Sequence, residues 1–284
     1  MMRDDFAVMI LTHGRADRVY TLSSLRKGGY TGKVFLVLDN EDDQHDEYVS
    51  RYGQERIVVF DKEAQMRKCD TMDTFGKKGV ILFARNACFE LAKELGLRYF
   101  LELDDDYTSF DMRFPKNGKL SAKPCRDLDR LFTAMIGFLE DSGALTVALS
   151  QGGDYIGGLK GRYYEKMLTR KAMNTFFCRT DRPIGFIGTI NEDVNTYTTY
   201  GSRGERIFSV TQAAIVQKET QSNAGGMTGV YLDNGTYLKS FYTVMTMPSC
   251  VSVAMMGSSH RRIHHNVSWV NCVPMILNER YRKT

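Results

Sequence analysis

Along the first 150 residues, continuous apolar runs of strand length alternate with segments whose apolar positions recur every three or four residues. FAVMILT at 6–12 and KVFLVLD at 33–39 fit strands covered on both faces, where no solvent side imposes alternation. Further strands are expected at 56–60, 99–103 and 144–149. Val19, Leu22 and Leu25 mark a helix over about 17–27, opened by Asp17 and closed by the Gly28-Gly29 pair. Val80, Ala84, Ala87, Leu91 and Leu95 share one helical face between Gly79 and Gly96, and Leu128, Leu131, Met135 and Leu139 do so over 126–141. Strands alternating with helices predict an α/β protein with a Rossmann-like, mostly parallel sheet, flanked by helices and joined by right-handed crossovers.

Beyond residue 150 the pattern changes to short strands separated by Gly, Asn, Gln and Thr, notably at 151–161 and 217–229. Such segments suit functional loops over the sheet's edge. Residues 240–259 carry no charge, but nine of the twenty are Ser, Thr, Pro or Gly, so a buried strand pair is expected rather than a bilayer span. With no Pro-rich linker and no internal repeat, a single domain over 1–284 is expected.

Composition adds exclusions. At 43% hydrophobic and 25% charged residues the chain is too apolar for general disorder, and a net charge of +4 permits an anionic partner without demanding one. Six cysteines without a CxxC pair indicate neither a zinc knuckle nor a disulfide framework, and are expected reduced and mostly buried. Residues 1–11 carry Arg3, Asp4 and Asp5 before a short apolar run and lack a signal-peptide core. A cytoplasmic protein, away from membranes, is therefore expected.

The strongest chemical feature is LELDDD at 101–106, three carboxylates at the carboxyl end of a buried strand, where open α/β sheets place ligand sites. Adjacent carboxylates in a cleft need a compensating cation, and hard oxygen ligands suit Mg²⁺ or Mn²⁺ bridging a diphosphate. A solvated acidic turn is the plainer alternative. NEDV at 191–194 follows an apolar run and opens a short helix, where Asp193, or in second place Glu192, could act as general base. Helix N-terminal carboxylates facing the dipole would look the same.

His260, His264 and His265 crowd the segment SSHRRIHH, where one could complete a metal shell begun by Asp106. His13 and Arg15 flank Gly14 in the loop after the first strand, a position suited to a nucleotide. Residues 160–182 hold seven Lys and Arg against two acids, with Tyr155, Tyr163 and Tyr164 interleaved. That pattern could track a phosphate backbone and stack a displaced base, or be a solvated basic face. The loop at 221–226 is either an acceptor lid or a long turn.

Taken together, LTHGR at 11–15, ARN at 84–86, LELDDDY at 101–107 and NEDV at 191–194 resemble a GT-A fold glycosyltransferase. More narrowly, the chain resembles the phage glycosyltransferases associated with TET/JBP-type oxygenases, which act on hydroxymethylated pyrimidines in DNA. The resemblance implies a nucleotide-sugar half at 1–150, an acceptor half at 151–284, a UDP-sugar donor, Mn²⁺ or Mg²⁺, and modified DNA as partner. By the same resemblance Thr12, His13, Arg15 and Asp39 line the nucleotide, Arg85 and Asn86 face it from a helix, and Asp104 and Asp105 lie near the donor. Asp106, with Asp104, would hold the metal, joined by one of His260, His264 and His265. Asp193 would be the base of an inverting reaction. A protein, glycan or small-molecule acceptor and a catalytically silent nucleotide- or DNA-binding module are the alternatives. A nucleotidyltransferase would ordinarily carry a better phosphate loop than HGR.

Overall fold

The computed structural model describes residues 2–73, 81–161, 163–217, 228–257, 261–272 and 278–282, with the backbone alone for 228–236. The chain runs β1 (Phe6–Leu11), α1 (Tyr20–Lys27), β2 (Lys33–Asp39), α2 (His45–Tyr52), β3 (Ile57–Phe60), α3 (Lys62–Lys68), α4 (Leu82–Glu94), β4 (Tyr99–Asp104), β5 (Tyr107–Lys116) and β6 (Lys119–Pro124). It continues with α5 (Leu128–Ser142), β7 (Thr146–Ser150), β8 (Leu168–Thr169), β9 (Phe176–Arg179), α6 (Glu192–Ser202), β10 (Ile207–Gln217), α7 (Thr228–Thr246), β11 (Val251–Met256), β12 (Arg262–Val267) and α8 (Trp269–Cys272). Ten strands form one sheet in the order β3-β2-β1-β4-β9-β7-β10-β5-β6, with β8 also on β10, while β11 and β12 pair separately. Strands β1, β2, β3, β4, β6, β7 and β10 point one way and β5, β8 and β9 run against them, so the sheet is mixed but mostly parallel.

The buried strands divide their side chains between two cores. Phe6, Val8 and Ile10 of β1 join Leu128, Phe132 and Leu139 of α5 on one face. Ala7, Met9 and Leu11 join Phe83, Ala87 and Leu91 of α4 and Val194 and Tyr197 of α6 on the other. This two-sided burial accounts for the unbroken apolar runs. Leu11 is level with both Val37 and Asp104, so the residues after β1, β2 and β4 emerge together at the sheet's carboxyl edge.

Several elements differ from the sequence expectation. Helix α1 starts at Tyr20 without a side-chain cap, since Asp17 bonds Arg18; instead Thr21 N–H donates to the Asp105 carbonyl (3.1 Å), docking the helix start on the aspartate loop. The expected strand pair at 240–259 is only half present. Residues 240–246 finish α7, with Ser240, Tyr242 and Thr243 buried, and only Val251–Met256 is strand. The half of the chain after residue 150 thus contains a 19-residue helix as well as strands and loops. Gly79 and Val80 lie outside the described residues, as does the loop at 221–226. All six cysteines are free, four of them buried. Among the described residues no helix is long and apolar enough to cross a membrane.

Candidate active site

The loops after β1 and β2 are cross-bonded into one wall. His13 Nδ1 lies 2.8 Å from Asp39 and 3.5 Å from Asp42, and the Lys62 ammonium reaches Asp39 at 3.3 Å. Gly14, at φ +62°, turns the chain so that its N–H donates to Asp42 (2.9 Å). The hydrogen bond to Asp39 raises the His13 pKa. Burial works against ionised Asp39, but the bonds from His13 and Lys62 outweigh it and hold the carboxyl below its usual range. Tyr48, in α2, shares a 2.8 Å hydrogen bond with Thr12 and accepts one from Arg15 N–H.

The three aspartates divide by direction. Asp105 turns back toward this wall, accepting from Thr12 Oγ1 (2.8 Å) and Arg15 Nη1 (3.0 Å). It is buried and its pKa is raised by desolvation, against the pull of Arg15. Asp104 and Asp106 lie close enough to repel one another electrostatically. The Thr21 hydroxyl donates to the Asp104 carbonyl (2.6 Å) and accepts from Tyr107 N–H (3.0 Å), fixing the turn between β4 and β5.

Arg85, on α4, is the centre of the site. Its buried guanidinium contacts Glu192 (2.9 Å), Asp104 (3.1 Å) and Glu102 (3.5 Å), and packs over the rings of Phe176 and Phe186 at 4.9 and 5.8 Å. Burial disfavours the cation, yet three carboxylates hold its pKa well above the ordinary value. One cation cannot serve them all. Desolvation lifts Glu102 to about 8 and Asp104 to about 7, the latter with help from Asp106 and Glu192. The centre is therefore short of positive charge. That deficit, beside two aspartates offering hard oxygens, fits a divalent ion whose remaining ligands are substrate phosphates and water.

Asp193 follows in the first turn of α6, 8% exposed, accepting from Val194 N–H at 2.7 Å. Burial and neighbouring Glu192 raise its pKa to about 6, with Arg85 and Lys239 opposing. The preceding Asn191 adopts a left-handed conformation (φ 54°, ψ 40°). Its amide nitrogen donates to the Lys239 carbonyl (2.8 Å) and Thr243 Oγ1 (3.0 Å), so α7 holds the strained turn that presents Asp193.

The remaining expected residues have the following surroundings. Asn86 is a bracket: its amide bonds the Leu82 carbonyl and both backbone groups of Phe186. His264 and His265 sit on β12 with their rings stacked at 4.3 Å. Burial, Arg262 and Lys239 lower His264, and burial, His264 and Lys239 lower His265, to about 3. His260 lies outside the described residues, and among those described no three His, Cys, Asp or Glu converge on a metal position. The basic segment is dispersed by ion pairs of Lys171 with Asp154, Arg179 with Asp181 and Arg182 with Glu205. Tyr155 is committed to the Thr211 carbonyl and stacks near Tyr164, and Tyr163 faces Lys171. Arg162 is not among the described residues. Lys62, Tyr48 and Asn191 were missed from sequence, since each acts through contacts distant in the chain.

A family model described as "TET-Associated Glycosyltransferase" matches residues 6–226. No curated protein matches the sequence. Among solved structures, mannosyltransferase PcManGT from Pyrobaculum calidifontis, in complex with GDP-Man and Mn²⁺, is 14% identical with a TM-score of 0.50, covering 78% of this chain and 59% of that one. S. aureus TarS 1-349 is 17% identical with a TM-score of 0.42, covering 74% and 59%. Glucosyl-3-phosphoglycerate synthase from Mycobacterium tuberculosis, with Mg²⁺ and UDP, is 10% identical with a TM-score of 0.48, covering 96% and 91%. The chain thus spans about three fifths of the length of the first two. The structural likeness bears on the fold, and it is the α/β nucleotide-sugar transferase fold that the sheet order displays. With more than three quarters of its length matched by the family model, the chain belongs to the TET-associated glycosyltransferase family.

Proposed function

We propose that this protein transfers a sugar from a UDP-sugar to the hydroxyl of a hydroxymethylated pyrimidine in DNA, with inversion and with Mn²⁺ or Mg²⁺ as cofactor. The observation that carries this reading is the Arg85 guanidinium, which ties Asp104 of the DDD run to Glu192 of the NED run in one buried centre. That link supports reading the two acidic runs as parts of one site. The acceptor rests on the family, named for its association with TET oxygenases.

In this reading Thr12, His13, Arg15 and Asp39 line the nucleotide, Asp104 approaches the ribose, and Asp105 keeps Thr12 and Arg15 in place. Asp106 and Asp104 would hold the divalent ion, which when bound neutralises charge on the departing diphosphate. Asp193 takes the proton from the acceptor hydroxyl as its oxygen bonds to the anomeric carbon. The bond from that carbon to the diphosphate oxygen breaks, and the nucleoside diphosphate leaves with the electron pair. A carboxyl with a pKa near 6 is basic enough to accept that proton and still ionised at neutral pH. The buried Arg85 holds Glu192 and Asp104 in register without water between them.

The test is intact-mass analysis of duplexes carrying 5-hydroxymethylcytosine or 5-hydroxymethyluracil, beside unmodified DNA, after incubation with Mn²⁺ and a panel of UDP-sugars. A sugar-sized gain on modified DNA alone is expected. Slow UDP release without any gain on DNA would move the reaction to another acceptor, and no turnover with any donor would point to a silent binding module.

A further inference from the structure

A second concentration of positive charge lies outside the basic segment at 160–182. Residues 112–126 contain Arg113, Lys116, Lys119, Lys123 and Arg126 and no acid; without these five, the net charge would be −1 instead of +4. All but Arg126 lie on the β5–β6 hairpin, whose tip is an Asn117-Gly118 turn with both residues at positive φ (50° and 71°). Lys116 pairs directly with Lys119, and Lys123 pairs with Met112. By the two-residue alternation of strands, Lys116, Lys119 and Lys123 share one face, and all three are exposed. Among the described residues none of them forms an ion pair. Lys160, also exposed, sits on a short turn that packs against β6. Arg113 points to the opposite face, over the ring of Tyr155 at 4.6 Å.

Like charges directly opposite across a strand pair are destabilising. A lysine on an edge strand discourages aggregation, but a cross-strand lysine pair with no ion pair among the described residues adds a repulsive cost. The strand is also joined to the chemistry: β5 begins at Tyr107, immediately after Asp106, and its ten residues reach about 33 Å at roughly 3.3 Å each. That is close to one turn of B-DNA, about 34 Å.

Resting on the DNA-acceptor reading above, we propose that the β5–β6 hairpin is a cationic arm that grips the phosphate backbone of the acceptor duplex, between about half a helical turn and one turn from the base being modified. Lys116, Lys119 and Lys123 supply sequence-independent contacts, which position the duplex and leave base selection to the active site.

The test is K116Q/K119Q/K123Q against wild type, measuring affinity for a modified duplex of about two helical turns across a salt series. The expected result is a slope of log affinity on log salt that falls by about 2.7, three phosphate contacts at roughly 0.9 each. UDP release from the donor should match wild type. An unchanged slope on the duplex overturns the arm and leaves the acceptor reading standing. Wild type that binds no DNA at all overturns the acceptor reading, and the arm with it. A variant that keeps the wild-type DNA slope but loses binding to phosphatidylserine vesicles overturns the arm in favour of a membrane surface.

Discussion

Two carboxylate clusters face the same edge of the sheet and are treated in opposite ways. Around Asp39, His13 and Lys62 outweigh the cost of burial, and the carboxyl sits below its usual range. Around Arg85, one cation faces Glu102, Asp104 and Glu192, and both Glu102 and Asp104 are pushed up by desolvation. The first cluster is complete as it stands and shapes a wall. The second holds more carboxylate than its one cation can pair, which is the feature the proposed metal-dependent reaction rests on.

The sharpest way to break this contrast is to remove the shared cation. Arg85→Met leaves Glu102 buried beside Asp104 and Glu192 with no counter-charge, and breaking such a set costs about 3–5 kcal/mol. Thermal unfolding should show the loss, and activity should vanish with it. Arg85→Lys should recover stability only in part, because an ammonium cannot contact three carboxylates in one plane. Next in size, Asp193→Asn should lower kcat by roughly 10²–10⁴-fold while leaving UDP affinity unchanged.

Titration gives an intermediate effect. The carboxylate is the working form of Asp193, so kcat in wild type should rise with pH through about 6 and level off above it. Because the folded pKa lies above the ordinary 3.8, stability is lost as pH rises from about 4 to about 6 and does not return above that; Asp193→Asn should therefore melt higher than wild type at pH 8. A lower melting temperature there would show that the charge is compensated. His13→Gln should be the mildest change, about 0.5 kcal/mol, since His13 is half-exposed. Its raised pKa means that the contribution is present below pH 6.5 and fades as pH rises through the folded value.

The parts of this arrangement that were legible in the sequence are those with local signatures. Strands β1, β2 and β4 are buried on both faces and read as unbroken apolar runs; α4 and α5 have one apolar face each; and the acidic runs stand directly against strand or helix ends. What stayed hidden depends on distant partners. The opening of helix α6 at NEDV was legible, but its extent was not: the helix is buried yet polar, with Asn195 bonding the Ile187 and Ile190 carbonyls and Thr198 bonding the backbone one turn earlier, so it has no apolar stripe. Helix α7 buries Ser240 and Thr243 beside Tyr242, and its uncharged end imitates a strand pair. Asn86 is a bracket because Phe186, a hundred residues away, lies against it.

The central claim, that the cluster around Arg85 is completed by a divalent ion together with the donor, is tested most directly by calorimetric titration of UDP into the protein with Mn²⁺ and with chelator. The account predicts UDP binding that requires Mn²⁺, is lost in Asp106→Asn and is retained in Asp193→Asn. Equal UDP affinity with and without Mn²⁺ would contradict it.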